Sequence, residues 1–305
     1  MSFSKRCKKE ISLKLIKDEN LSMELFSYIR LAGYLRIVKG QFNVYFDADY
    51  KHQAKRIYNI IKRLYNYSPT IEIKESNKFG KEDYYTVFVE KSSVADKILE
   101  DTKVLTITDS KEIYDSLYSD EFKKIFLQDA FLLYGSINDP NRGYYVEISI
   151  QEKELVKVLL DIMKYFNLNP KTINRNDTDL IYMKDGDRIS DFLSIIRAYK
   201  SLLELEDVRA MKSLRNDINR QTNCDKANIT RTVNASIKQV NSIKKLKESN
   251  IFYKLDEELQ QIANLREENP YLSLEELGKM LNPQMSKAKV NYRLQKINKI
   301  ANEIK

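Results

Sequence analysis

Apolar and polar positions over residues 21–200 follow one order twice. A helical segment ends at Leu31-Ala32-Gly33-Tyr34, and the alternation across Phe42–Phe46 then suits a strand with one buried face. A second helical segment ends at Leu133-Tyr134-Gly135-Ser136 and leads to strand-like Tyr144–Ile150. Each copy continues into an amphipathic helix. Ala54, Ile57, Tyr58, Ile61 and Leu64 share one face of the first, and Leu155, Val158, Leu159 and Ile162 share one face of the second. Tyr67-Ser68-Pro69 and Leu168-Asn169-Pro170 stop these helices, because proline disfavours helical backbone in the residue before it. The copies are offset by 102 residues at Gly33 and Gly135 and by 101 at the prolines.

After each proline come two short strand candidates, Thr70–Lys74 and Tyr84–Glu90 in one copy, Lys171–Asn174 and Leu180–Lys184 in the other. Turns rich in Asn, Lys, Gly and Asp join them. A helix near Arg188–Tyr199 closes the second copy, and a helix around Ser110–Leu117 is expected to close the first. The pattern predicts two α+β units of the order helix, strands, helix, strands, helix.

The last third changes period altogether. From Ala227 to Lys247, Ile229, Val233, Ile237, Val240 and Ile243 recur at helical spacing without glycine or proline. Asp256 can cap a helix running to Arg266, which Asn269-Pro270 breaks. Ser273 and Glu276 form a capping box that starts the next helix, with Leu274, Leu277 and Leu281 facing inward. After Asn282-Pro283, Ser286 can cap a third helix reaching about Asn302. A four-residue connection, Asn282 to Met285, between two capped helices forces a close crossing of the helix-turn-helix kind. Val290, Leu294, Ile297 and Ala301 would face the core. Ser286 at the cap and Lys287, Lys289, Asn291, Tyr292, Arg293, Gln295, Lys296 and Lys299 are left for solvent or a ligand. Amide side chains pair with adenine, arginine and lysine with guanine, and flanking lysines hold phosphates, so double-stranded DNA is the expected partner.

Charge sharpens this expectation. The 305 residues carry a net charge of +8. Val208–Lys305 holds 19 Lys+Arg against 11 Asp+Glu, whereas the preceding residues hold 33 of each sign. The whole excess therefore lies in the last third, as phosphate binding requires. Cys7 and Cys224 stand far apart without metal-ligand spacing, and His52 is the only histidine, so no disulfide, metal site, cofactor or histidine-based catalysis is indicated. No apolar run approaches the roughly 20 residues needed to cross a bilayer, and no signal-peptide core follows the basic start. A cytoplasmic, nucleoid-associated protein without membrane contact is expected.

The opening Ser2-Phe3-Ser4 and the runs Phe126–Pro140, Leu214–Thr232 (containing NRQTNCDKANI) and Ser273–Arg293 (SLEELGKMLNPQMSKAKVNYR) resemble the WhiA family over nearly the whole chain. That resemblance implies tandem LAGLIDADG homing-endonuclease-like units followed by an all-α helix-turn-helix domain similar to sigma factor region 4. The implied segments are a helical arm at 1–20, a first unit at 21–118, a second at 119–204, and a basic domain at 205–305 with its helix-turn-helix at about 273–302. Laying the LAGLIDADG motif on this chain puts Ala32 and Tyr134 where the nucleases carry metal-binding acids. Neither can hold a metal, so no catalytic residue is expected and the units appear as a degenerate nuclease scaffold. Arg215, Arg220 and Arg231 lie in the matching basic motif and are candidates for phosphate contact.

The resemblance further implies transcription regulation and a link to cell division, chromosome segregation and, in some lineages, sporulation. Two other readings stay open: a metal-dependent nuclease using displaced acids such as Asp139, and a nucleoid or division protein whose DNA contact is mainly electrostatic. Protein or small-ligand binding by the N-terminal units is equally open.

Overall fold

The structure is a computed structural model that describes residues 1–74, 84–175 and 178–304. It divides into two units, Met1–Met211 and Lys212–Lys305. The division falls inside a 50-residue helix, α9 (Tyr199–Glu248), numbered here after the eight helices of the first unit.

The first unit contains the repeat. Its first copy is α2 (Leu21–Ala32), β1 (Gly33–Val38), β2 (Gln41–Ala48), α3 (Lys51–Tyr65), β3 (Thr70–Lys74), β4 (Tyr84–Val89) and α4 (Ser92–Thr102). Its second is α6 (Asp120–Tyr134), β5 (Gly135–Ile137), β6 (Val146–Ile150), α7 (Lys153–Tyr165), β7 (Lys171–Arg175), β8 (Thr178–Met183) and α8 (Gly186–Ile195). α1 (Phe3–Ser12) precedes them and α5 (Ser110–Ser116) lies between. The two antiparallel sheets have orders β1-β2-β4-β3 and β5-β6-β8-β7, the same topology twice. Register follows the alternation: Val44 pairs with Val89 and Phe46 with Val87 on the buried face, as Ile148 pairs with Ile181 in the other sheet.

Helices α2 and α6 each pass into a strand with no loop. α2 ends at Gly33 with extended backbone (φ −77°, ψ 140°), and α6 ends at Gly135 in the same way (φ −82°, ψ 155°). A Cβ at Gly33 would stand 2.7 Å from the Ile29 carbonyl oxygen, and one at Gly135 would stand 2.6 Å from that of Phe131, so only glycine fits these joints.

One expectation changes. Ser92–Thr102, not Ser110–Leu117, closes the first copy: Val94, Ala95, Ile98 and Leu99 of α4 join the core under the first sheet. Ile113 of α5 and the following Leu117 instead join the core of the second sheet. Phe3, Cys7 and Ile11 of α1 are buried in that same second core.

The motif helices α2 and α6 pack on each other. Polar groups are buried close to them. Arg56 of α3 donates from Nε to Glu24 (2.9 Å) and from Nη2 to the other oxygen (2.6 Å), with both side chains 4 % exposed. Its Nη1 donates to the Lys14 carbonyl at 2.8 Å. Asp129 on α6 is fully buried, and among the described residues neither carboxylate oxygen has a hydrogen-bond partner. Burial first, and the nearby Glu24 carboxylate second, hold the Asp129 pKa well above the usual carboxylate range.

The second unit folds the end of α9 with α10 (Glu257–Glu268), α11 (Leu274–Met280) and α12 (Lys287–Glu303). Its core is small and apolar, built from Ile243, Leu246, Leu259, Ile262, Leu277, Val290, Leu294 and Ile297 among others.

Candidate nucleic-acid interface

Two of the three C-terminal helices, α11 and α12, start on side-chain caps. Ser273 accepts from the Glu276 amide at 3.3 Å while Glu276 accepts from the Ser273 amide at 2.8 Å, the reciprocal capping box expected from the sequence. Ser286 caps α12 by accepting from the Lys289 amide at 3.4 Å. Asp256 occupies the cap position of α10, but its side chain makes no capping bond. The carboxylate instead faces Lys296 of α12, at 3.5 Å.

The turn between α11 and α12 is held by the Met285 amide donating to the Gly278 carbonyl at 2.9 Å. A Cβ at position 278 would overlap the Met285 carbonyl, so the turn can lie on α11 only over a glycine. The preceding corner is fixed from inside. Arg266, 1 % exposed, donates from Nη1 to the backbone carbonyl of Leu272 at 2.7 Å, and to those of Pro270 and Asn269 at 3.3 and 3.4 Å. A buried arginine that satisfies three turn carbonyls is invisible to periodicity, which marks Arg266 only as a helix end.

On this frame α12 buries Val290, Leu294, Ile297 and Ala301. Ser286, Lys287, Lys289, Tyr292, Gln295, Lys296 and Lys299 are exposed, Tyr292 by 71 %. Asn291 and Arg293 are half-buried. The Arg293 guanidinium is engaged within the unit: Nη1 donates to Met285 Sδ at 2.8 Å and Nη2 to Glu258 on α10. A cleft of about 480 Å³ between the start of α10 and α12 is lined by Asp256, Glu258, Lys289, Tyr292, Arg293 and Lys296. Arg215, Arg220 and Arg231 lie exposed on α9, with Arg220 paired to Asp217 one turn away.

In the first unit, Ala32 and Tyr134 are the last residues of α2 and α6. The Tyr134 hydroxyl donates to the Leu31 carbonyl, tying the end of one motif helix to the other. The nearby acids have local duties. Asp47 accepts from Thr86 (2.7 Å) and Tyr34 (3.2 Å). Asp139 accepts from the Asn141 amide (2.9 Å) and side chain (3.0 Å), which hold its pKa below the usual range. Among the described residues no group of three or more His, Cys, Asp or Glu side chains is placed to hold a metal ion, and no helix is long and apolar enough to cross a membrane. Cys7 is buried and Cys224 exposed.

Family models described as the WhiA N-terminal LAGLIDADG-like domain, the WhiA LAGLIDADG-like domain and the WhiA C-terminal HTH domain match residues 18–105, 123–215 and 218–301. A probable cell division protein WhiA of Clostridium botulinum (strain Hall) is 35% identical over 315 residues, covering 100% of this chain and 99% of its own. Its counterpart in Clostridium tetani is 36% identical over 313 residues, covering 100% and 98%. The crystal structure of full-length DUF199/WhiA from Thermatoga maritima superposes with a TM-score of 0.59 at 26% identity, covering 99% of this chain and 98% of that one. The repeated sheets, the loopless motif helices and the capped C-terminal helices thus have one explanation: the chain belongs to the WhiA family, with two LAGLIDADG-like units and a helix-turn-helix domain.

Proposed function

We propose that this protein is a sequence-specific double-stranded DNA-binding regulator of transcription acting at the nucleoid in the cytoplasm, with a role in cell division and chromosome segregation. One observation carries the DNA reading. α12 has a sealed apolar side and an opposite side on which Tyr292, Gln295, Lys287, Lys289 and Lys299 stand exposed behind a capped N-terminus. A helix so presented can lie in a major groove, where amide and aromatic groups meet base edges and lysines meet phosphates. The division role is supported by the names of the relatives.

The working segments we assign are 1–20, 21–118, 119–204 and 205–305. The LAGLIDADG-like units act as scaffold and as a surface for a protein partner rather than as a nuclease. Ala32 and Tyr134 at the motif ends support this, as does the balance of 33 basic and 33 acidic residues before Val208. Arg215, Arg220 and Arg231 extend the phosphate contact along α9.

Selection of bound fragments from random duplex DNA tests the reading. A preferred sequence should emerge. Gln295→Ala should then relax one base preference at a cost of about 1–3 kcal/mol, whereas Lys289→Ala should weaken all duplexes alike and reduce the salt slope by about one. Recovery of no preferred sequence would leave only electrostatic DNA contact and sink the regulator assignment.

A further inference from the structure

α12 carries two kinds of cation. Lys287, Lys289 and Lys299 are exposed at its start and on its outer side, while Arg293 and Lys296 face carboxylates at the start of α10. Acids in a first helical turn often only complement the helix dipole. Here Asp256 makes no capping bond and is directed to Lys296 at 3.5 Å, and Glu258 is bonded to Arg293 across 35 residues of sequence. Both carboxylates border the same cleft as Lys289 and Tyr292.

We infer that Asp256 and Glu258 are internal competitors for DNA phosphate, which withhold Arg293 and Lys296 from the backbone and thereby favour base reading over non-specific binding. This rests on the reading of α12 as the DNA-contacting helix. The chemistry is that of substitution: a guanidinium binds carboxylate and phosphate through the same fork of N–H donors, so a phosphate reaching Arg293 must displace Glu258 or meet its charge. Each cation withheld removes one counterion-releasing contact, and that loss falls on every DNA sequence equally. Contacts made by Gln295 and Tyr292 to base edges are untouched. The ratio of specific to non-specific affinity therefore rises through a repulsive element instead of an added attraction. Arg293, pinned between Glu258 and Met285 Sδ, becomes a positioning residue that braces the turn against α12.

The experiment measures binding of the full chain to a mixed-sequence DNA duplex over a range of KCl concentrations. Glu258→Gln should bind roughly five- to ten-fold more tightly at 0.1 M salt, with the log–log salt slope steeper by about 0.9. Asp256→Asn should move both readings the same way by less, because Lys296 is more exposed and its contact longer. Arg293→Gln should leave the salt slope where it is, and it keeps the test decisive should Glu258→Gln not fold. Equal or weaker binding by Glu258→Gln with an unchanged slope, or a slope lowered by about one in Arg293→Gln, overturns the inference. Lys289→Ala is the control for the underlying reading: if it still weakens binding while the acid variants do nothing, the inference alone fails. If Lys289→Ala is also without effect, the assignment of α12 fails with it.

Discussion

In the first unit Glu24 and Arg56 lie beneath the surface beside the paired helices α2 and α6, whereas in the second unit Lys287, Lys289 and Lys299 lie outside a core made mainly of aliphatic side chains. Both regions are helical and rich in charge, yet they put that charge to opposite ends. Buried charge costs desolvation, which only a close, fully bonded partner offsets, so the ionic groups of the first unit fix one arrangement of helices. Exposed charge on α12 costs little and is free to exchange water and counterions for another polyanion. Arg56 has its ionic partner built in, whereas Lys287, Lys289 and Lys299 face solvent.

The sharpest way to break this comparison is to remove one half of the internal pair. Arg56→Ala strands the Glu24 carboxylate in the interior and should destabilise the first unit by about 3–5 kcal/mol. Denaturant unfolding followed by a probe in that unit would measure it, and a loss below 1 kcal/mol would mean that water reaches the pair.

A second test concerns pH. The folded-state pKa of Asp129 is raised, so the folded unit binds a proton that the unfolded chain releases near the ordinary aspartate value. The stability contributed by that proton is present below roughly pH 4 and is lost as pH rises toward the raised folded value. Asp129→Asn imitates the protonated form. It should melt higher than wild type at pH 7, with the gap closing as pH falls toward about 4. A gap that is constant with pH would place the proton elsewhere.

The smallest effect belongs to the second unit. Ser273→Ala removes half of the capping box and should cost about 1 kcal/mol, read as a lower melting temperature of the C-terminal unit and not of the first. An unchanged melting temperature would show that the close fit of Gly278 against the Met285 carbonyl suffices to hold α11.

The C-terminal unit was the more legible in the sequence, because its decisive signals are local. Ser273 with Glu276, Ser286 before a helical run, and two Asn-Pro stops each act within four residues. The tandem sheets were legible through alternation and matching prolines. β1 and β5 were missed, since a helix that becomes a strand at glycine leaves no turn residues to mark the change. α4 was missed because Lys91 offers no cap and the helix ends at Lys103 in a left-handed conformation (φ 48°) without glycine. α5 carries the plainer sequence signal, because Asp109 caps it by accepting from the Glu112 amide at 2.9 Å. Contacts between remote positions were out of reach of periodicity altogether: Arg56 with Glu24, Arg293 with Glu258, and Arg266 with the carbonyls of its corner.

The loopless joints at Gly33 and Gly135 limit how this scaffold can vary. With no spare residue between helix and strand, a single inserted or deleted amino acid there would turn every side chain of the following strand from one face of its sheet to the other. Length changes among relatives should therefore collect in the hairpin turns and avoid these two positions, where the end of a helix sets the phase of a sheet.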